Sequence, residues 1–481
     1  MTDAAAHGRR VSIGTITLFM ASAISLPTGI VTAAYLTDRF GAEGYGMFAV
    51  VVALVAWFEL CSTQFFARPT VKLIAESDHW RRDASAIQRA QLTIALAAAG
   101  LLLLLAPAIA RALGSDAHAD ALRLLAIDIP IYALAQNHAA ILIGRGDYNK
   151  RAALVAVRWL ARMVLIVAFV GAGWGLTGAL LGCIGASLAE LIGARLLAPL
   201  PLLARAPGLR LTAYVVPITL HTLGFELFKR LDLIAVESVG AAGDAGYYAA
   251  AQNLTIVPTL FAMSLSPLLL SALARTMRAG DPDAARALAR GALRVIALLL
   301  PFAGAAAALS DAVVRLIYGD DFAPAAPIMA ILIFGALAIT LHSAAAAILL
   351  AADRPGWVFA LNAPLAPLAF MLQWLLVPRW GAVGAAGIST VLACAAVVVM
   401  LIAVRRTWGV GVPTPTWIRA GVLCVGAYAV CALVPTTGAA LLLALVGVTV
   451  VIVVGYTVSE EITPPEWAFA RSLLPRRWRR V

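Results

Sequence analysis

Apolar residues run almost unbroken for about twenty positions at a time along this chain, and polar residues come in short clusters between the runs. Neither the alternation of a half-buried strand nor the single apolar stripe of a surface helix fits such runs. A helix apolar on every side does, because about 20 residues rising 1.5 Å each cross a hydrocarbon core about 30 Å thick. Charged, glycine-rich or proline-rich punctuation divides the sequence into fourteen such stretches: residues 11–36, 47–66, 87–113, 121–143, 152–172, 177–200, 211–239, 247–274, 284–309, 325–350, 357–377, 383–404, 417–434 and 439–458. The pattern predicts an all-α polytopic membrane protein. His7, Arg9 and Arg10 ahead of a run containing Ala21, Ser22 and Ala23 imitate a cleavable signal, but the run continues to Leu36, which suits an uncleaved first span.

Composition agrees: 62% of the 481 residues are hydrophobic, 13% are charged, and the mean hydropathy is +0.92. No water-soluble domain of this length tolerates such values. The net charge of +11 reflects 36 Lys and Arg against 25 Asp and Glu, and its distribution speaks to topology rather than nucleic acid. Basic residues crowd into every second loop, as in Arg81, Arg82, Lys150, Arg275, Arg278, Arg354, Arg405, Arg406 and the tail from Arg471 to Arg480. The intervening loops carry only Arg39, Arg111, Arg123, Arg315 and Arg379. The positive-inside rule then places both termini in the cytoplasm. No loop exceeds about fifteen residues, so a soluble catalytic or nucleotide-binding domain has no room. The cysteines Cys61, Cys183, Cys394, Cys424 and Cys431 lie in apolar runs without metal-binding spacing, so neither a metal site, a cofactor nor a disulfide framework is expected.

The chemistry lies in charges that interrupt the spans. A charged side chain near the bilayer centre costs about 3 kcal/mol on the more lenient scales. The stretch FELFKRLD puts Glu226, Lys229, Arg230 and Asp232 in one span, with Glu237 beyond. At about 100° per residue most of them share a helix side, which reads as the wall of a polar cavity, or alternatively as a self-neutralising cluster that binds helices together. Arg151, Arg158 and Arg162 form a ladder along the fifth span, and Arg68 stands near the end of the second. Their bland reading is snorkelling, above all for Arg151. Arg286, Arg290 and Arg294 read as the polar side of an amphipathic cytoplasmic helix. Carboxylates able to bind a coupling cation (H+ or Na+) are Glu226, Asp232, Glu59, Glu190 and Asp128; Glu59 and Glu190 have no charged neighbour one turn away and need partners from other helices.

The chain also repeats itself. GAEGYGMFA, ending at Ala49, matches GDAGYYA, ending at Ala249, and pairs Gly46 with Gly246. GWGLTGA from Gly173 matches RWGAVGA from Arg379, pairing Trp174 with Trp380, Gly175 with Gly381 and Gly178 with Gly384. Two six-helix bundles, residues 1–204 and 205–410, would then be related as a parallel pseudo-twofold repeat, followed by two further helices and a basic tail in 411–481.

At these turns the sequence resembles the oligosaccharide flippases of the MOP superfamily, which holds the O-antigen (Wzx-type) and peptidoglycan-precursor flippases and the MATE antiporters. The residues that carry the resemblance are Gly41, Glu43, Tyr45 and Gly46; Lys229 to Asp232 with Gly246 and Tyr247; Tyr318, Gly319 and Phe322; and Pro378, Gly381, Gly384, Ala385 and Ala386. The resemblance implies a V-shaped cavity, alternating access, and transport of a lipid-linked oligosaccharide across a bacterial inner membrane. A polyprenyl pyrophosphate headgroup needs fixed cations, so Lys229, Arg230, Arg158, Arg162 and Arg68 are the expected substrate-binding residues. Two other readings stand beside it. A MATE-like antiporter of organic cations would line its cavity with acids and aromatics, and a membrane-embedded polymerase or glycosyltransferase would need an exposed acidic pair, for which only Asp320 and Asp321 are available.

Overall fold

A computed structural model of the chain describes residues 17–18, 20–76, 80–200, 215–433 and 439–461. The basic residues of the N-terminus, of residues 201–214 and of the tail from 462 lie outside the described residues. Within them the chain is all-α, with no strand. The helices in order are α1 (Ser25–Glu76), α2 (Trp80–Ala112), α3 (Ala117–Leu125), α4 (Asp128–Gly144), α5 (Tyr148–Phe169), α6 (Gly175–Leu197), α7 (Val215–Val239), α8 (Asp244–Leu254) and α9 (Ile256–Arg278). They are followed by α10 (Pro282–Ala297), α11 (Leu300–Ala308), α12 (Ser310–Tyr318), α13 (Ala325–Ala351), α14 (Pro355–Asn362), α15 (Leu365–Trp408), α16 (Thr414–Leu433) and α17 (Ala439–Val458). Each of the fourteen predicted spans is helical over most of its described part, with turns inside several of them, and eight helical stretches are long and apolar enough to cross a membrane.

Three helical stretches, Met20–Val71, Tyr148–Leu197 and Pro355–Trp408, are 52, 50 and 54 residues long. At 1.5 Å per residue each would be about 75 Å if straight, more than twice the hydrocarbon thickness, so each must hold two spans. The sequence separates these pairs by loops, whereas the structure joins them through single glycines. Gly41 sits at φ 64°, ψ −170° within α1, and Gly381 at φ 58°, ψ −157° within α15. Between α5 and α6 a π turn, Val170–Trp174, ends at Gly175 with φ 55°, ψ −141°. These conformations are essentially restricted to glycine. Gly175 and Gly381, paired by the sequence repeat, share one backbone geometry. The Cβ that Gly178 lacks would meet Trp174 Cβ at 2.9 Å, and the Cβ missing from Gly384 would press on Trp380 Cβ.

The helices form two compact units. One comprises residues 1–260 with 353–392, the other 261–352 with 393–481. In the first, α5 and α6 lie close enough that a Cβ on Gly182 would stand 2.8 Å from the Ile166 backbone nitrogen. That approach brings the polar residues of α5 within reach of α6. In the second unit, Ala305, Leu309, Ala420, Ala427, Leu441, Val448 and Ile452 form a buried cluster. Tyr456 closes it, donating its hydroxyl to the Leu298 carbonyl at 3.1 Å. The amphipathic reading of α10 holds: Ala285, Ala289, Leu293 and Ile296 are buried while Arg286 and Arg290 are exposed. Arg294 instead reaches Glu461 at 2.9 Å, and Thr416 and Arg419 donate to the same carboxylate, each at 2.6 Å.

Candidate functional site

A cavity of about 370 Å³ opens among α1, α5, α7, α8 and the start of α9. Leu36, Phe48, Val52, Leu233 and Ile256 supply its apolar wall; Thr28, Thr32, Gln252 and Asn253 supply neutral polar groups. Two cations reach it, Arg162 from α5 and Arg230 from α7, and no carboxylate is among its described lining residues. Arg230 donates Nη1 to the Ala53 carbonyl at 3.2 Å, while its Nε is buried with no partner. Arg162 lies 5.8 Å from the Trp159 ring centroid. A guanidinium with unspent donors in a cavity that offers it neutral groups and no acid is a receptor for an anion, because burying that charge is costly until a counter-ion arrives.

The α5 ladder continues away from this cavity into a second cluster. Arg151 and Arg158 both clamp Glu190 of α6, at 2.7 and 3.2 Å, and Arg151 also donates to Gln136 Oε1 at 3.2 Å. Arg151 is therefore not a snorkelling side chain; Glu190, 1% exposed, requires a counter-charge, and the tight α5–α6 contact supplies it. Arg158 also lies over Tyr132, 4.2 Å from its centroid. A cavity of about 80 Å³ adjoins, lined by Glu59 of α1, Asp128 of α4, Arg158, Arg162 and Cys183. Ser187 donates to Asp128 Oδ2 at 3.1 Å, and the Asp128 carboxyl also faces that of Glu59 closely enough for the two to share a hydrogen bond. Arg162 lines both this cavity and the larger one.

The charged stripe of α7 is divided among separate partners. Lys229 pairs with Glu226 at 2.5 Å and lies 5.9 Å from the Phe225 ring centroid. Glu237 meets His118 Nε2 at 2.9 Å, across to α3. Asp232, 4% exposed, accepts from the Tyr248 hydroxyl at 2.6 Å, its neighbour's Leu233 amide at 2.7 Å and the Ser389 hydroxyl at 3.1 Å. Gln373 reaches Ser389 Oγ at 3.0 Å, and its own Oε1 is left buried without a partner. Of the four charges in FELFKRLD, only Arg230 lines the large cavity. The side chain of Arg68 lies outside the described residues. Sequence reasoning missed His118, Gln136, Ser389 and Gln373; uncharged polar residues and a lone histidine give no signal until a partner from another helix is known.

Residues 40–327, more than half of the chain, match a protein family described as polysaccharide biosynthesis protein. The chain belongs to that family. No curated protein sequence matches this family member. Among solved structures, the lipid II flippase MurJ in an inward closed conformation superposes with a TM-score of 0.75 at 14% identity, over 93% of this chain and 98% of that one. An inward-facing multidrug resistance MATE transporter of the MOP superfamily gives 0.62 at 13% identity, over 83% of this chain and 97% of that one. A MOP superfamily transporter from Pyrococcus furiosus, described by the reverse polarity of its binding pocket, gives 0.57 at 12% identity, over 82% of this chain and 95% of that one. The chain thus has the all-α fold of MOP superfamily transporters and is a multi-pass membrane protein.

Proposed function

We propose that this family member is a flippase that moves a polyprenyl-pyrophosphate-linked oligosaccharide across the bacterial inner membrane by alternating access, for O-antigen or related polysaccharide export. The observation that carries the reading is the pair Arg162 and Arg230 in a cavity whose other described lining residues are uncharged. Two fixed guanidinium groups suit the roughly two negative charges of a pyrophosphate, and Arg presents the fork geometry that phosphate oxygens accept. Arg158 is a further contact only once Glu190 releases it. The six-helix halves 1–204 and 205–410, the appended helices of 411–481 and cytoplasmic placement of both termini belong to the same proposal. The coupling cation is H+ or Na+, with Asp232, Glu59, Asp128, Glu190 and Glu226 as its candidate carriers.

An antiporter of organic cations is disfavoured by the same cavity, where a cationic substrate would meet two arginines and no acid. An embedded glycosyltransferase is disfavoured because Asp320 is committed to Arg315 at 2.5 Å. The test is reconstitution in liposomes with a fluorescent polyprenyl-pyrophosphate oligosaccharide whose label is quenched only from outside. Wild-type protein should raise the accessible fraction, and Arg230→Ala at equal incorporation should not. Equal flipping by wild type and Arg230→Ala would remove this cavity from the substrate path.

A further inference from the structure

The start of α3 and the end of α7 meet through a polar contact whose protons can be counted. His118, 3% exposed, brings Nδ1 to 3.2 Å from the Ser115 carbonyl and Nε2 to 2.9 Å from Glu237 Oε1. A carbonyl oxygen only accepts, so Nδ1 carries a hydrogen. A neutral imidazole then presents a bare lone pair at Nε2 to a carboxylate that also only accepts. The contact closes when one more proton lies between them, on Nε2 as an imidazolium or on Glu237 as a carboxylic acid. Either form holds one proton more than a neutral histidine and a carboxylate kept apart. α3 packs against α1, α2 and α6, and α7 against α1, α8 and α14. Charged groups that these elements bring to this end are engaged elsewhere: Arg123 with Asp120 at 3.0 Å, Arg111 with the Pro107 carbonyl at 3.3 Å, and Arg39 with Asp38 at 4.0 Å. Asp244 of α8 accepts from the Ala241 amide at 3.4 Å, and Asp232 of α7 takes the Tyr248 hydroxyl. The remaining titratable groups here are Tyr35, Glu43 and Tyr45 of α1, Asp116 before α3 and Tyr247 of α8; α14 carries no charged residue, and those of α6, Glu190 and Arg195, lie in its far half.

We propose that His118 and Glu237 form a proton-binding latch that holds the outward end of the large cavity shut. The inference rests on the flippase reading, which supplies what the latch closes. His118 belongs to the half 1–204 and Glu237 to the half 205–410, so the contact lasts only while the two halves meet at this end. The turn 240–243 after α7 leads directly into the crossing of α1 and α8, where a Cβ on Gly246 would run into Ala42, and that crossing borders the cavity through Tyr45, Phe48 and Ala249. The loops 113–116 and 240–243 contain no lysine or arginine, which by the positive-inside rule marks the outward side. The glycine crossing is uncharged and indifferent to protons, whereas the latch beside it is not. Opening parts Nε2 from Glu237, leaves a neutral imidazole and a hydrated carboxylate, and returns the proton to outward water; closing takes one back. No other bond forms or breaks. An acidic exterior therefore favours closure once cargo has left, and an alkaline one favours the open form.

Pulsed electron paramagnetic resonance of the full-length protein in lipid nanodiscs, with spin labels on non-canonical residues at the exposed Ala117 and Ala242, reads the distance across the latch. Between about pH 5 and pH 9, a range that spans ordinary histidine titration, a short distance should give way to a longer one. The closed form holds the extra proton, so the ratio of closed to open should fall by up to about tenfold per pH unit. Glu237→Gln is decisive, because a carboxamide can donate to Nε2 of a neutral imidazole and needs no added proton. It should keep the short distance throughout. His118→Ala should show the longer distance even at the acidic end, and Asp120→Asn, on the same helix, should titrate as wild type does. A wild-type distance that is the same at both ends of the range, or one that still changes with pH in Glu237→Gln, overturns the inference. The measurement contains no lipid-linked substrate, so such a result leaves the flippase reading standing; that reading falls only in the liposome assay, where a latch that titrates beside a lipid that never flips would separate the two.

Discussion

The Cβ that Gly46 lacks would stand 2.7 Å from the backbone nitrogen of Gly246, and the one Gly246 lacks would run into the Ala42 carbonyl oxygen. The two glycines that the internal repeat pairs in sequence therefore touch in space, where α1 crosses α8. Apolar lipid gives little driving force for helix association, so contacts of this kind, backbone against backbone, hold such crossings together.

Replacing either glycine by alanine should be costly. Gly246→Ala collides with backbone that cannot rotate away, and a loss of about 1–3 kcal/mol or more is expected. Gly46→Ala should cost less, and Gly100→Ala, which meets nothing within 4 Å, should be neutral. Thermal unfolding in detergent ranks the three; a neutral Gly246→Ala would mean the crossing is looser than described.

Arg230 and Lys229 are adjacent in sequence and unequal in role. Arg230→Ala deletes a charge-assisted anion contact worth about 1.5–3 kcal/mol, roughly ten- to a hundredfold in headgroup affinity. Arg230→Lys should keep part of it, since charge survives and the fork is lost. Lys229→Ala should change affinity less than threefold or so, because Lys229 is spent on Glu226. Affinity for a soluble pyrophosphate-sugar mimic separates them, and a larger loss for Lys229→Ala would reverse the assignment.

Glu190 holds two arginines inside the membrane. Breaking a buried ion pair from one side strands the remaining charge, at about 3–5 kcal/mol. Glu190→Ala should therefore be more destabilising than the triple change Arg151→Ala, Arg158→Ala, Glu190→Ala, which leaves no orphan. Unfolding midpoints of the two variants decide it; an additive result would show that the three side chains act independently.

Glu461 lies just beyond the end of α17, outside the spans. Burial alone pushes its carboxyl up, but hydrogen bonds from Thr416, Arg419 and Arg294 outweigh that and hold it below the ordinary glutamate range. Its contribution to stability is thus fully present above the unfolded value of about 4.3 and is lost as pH falls through the lower folded value. Melting curves from pH 7 to pH 3 should show this loss in wild type and a shallower one in Glu461→Gln, whose midpoint at pH 7 should already be lower. Identical pH dependence of the two proteins would sink the claim.

What the sequence determined by itself is what short-range physics can carry. Apolar runs of bilayer length dictate helices whatever surrounds them, so helix was legible at each of the fourteen stretches, as was the amphipathic α10 with Arg286 and Arg290 outward. The glycines of the repeat were legible too, because the backbone at Gly175 (φ 55°, ψ −141°) and Gly381 (φ 58°, ψ −157°) combines angles essentially restricted to glycine. Partnership was not. FELFKRLD looked like one polar wall, yet Glu226 is spent on Lys229 one turn along the same helix, while tertiary structure gave Asp232 to Tyr248 and Glu237, beyond the stretch, to His118, leaving Arg230 as the one charge of that stretch at the cavity. Arg151 read as an interfacial side chain until Glu190 arrived from α6. A charge inside a membrane announces that it must be paired; which helix brings the partner depends on contacts between residues tens to hundreds of positions apart, and these exist only once the helices have packed.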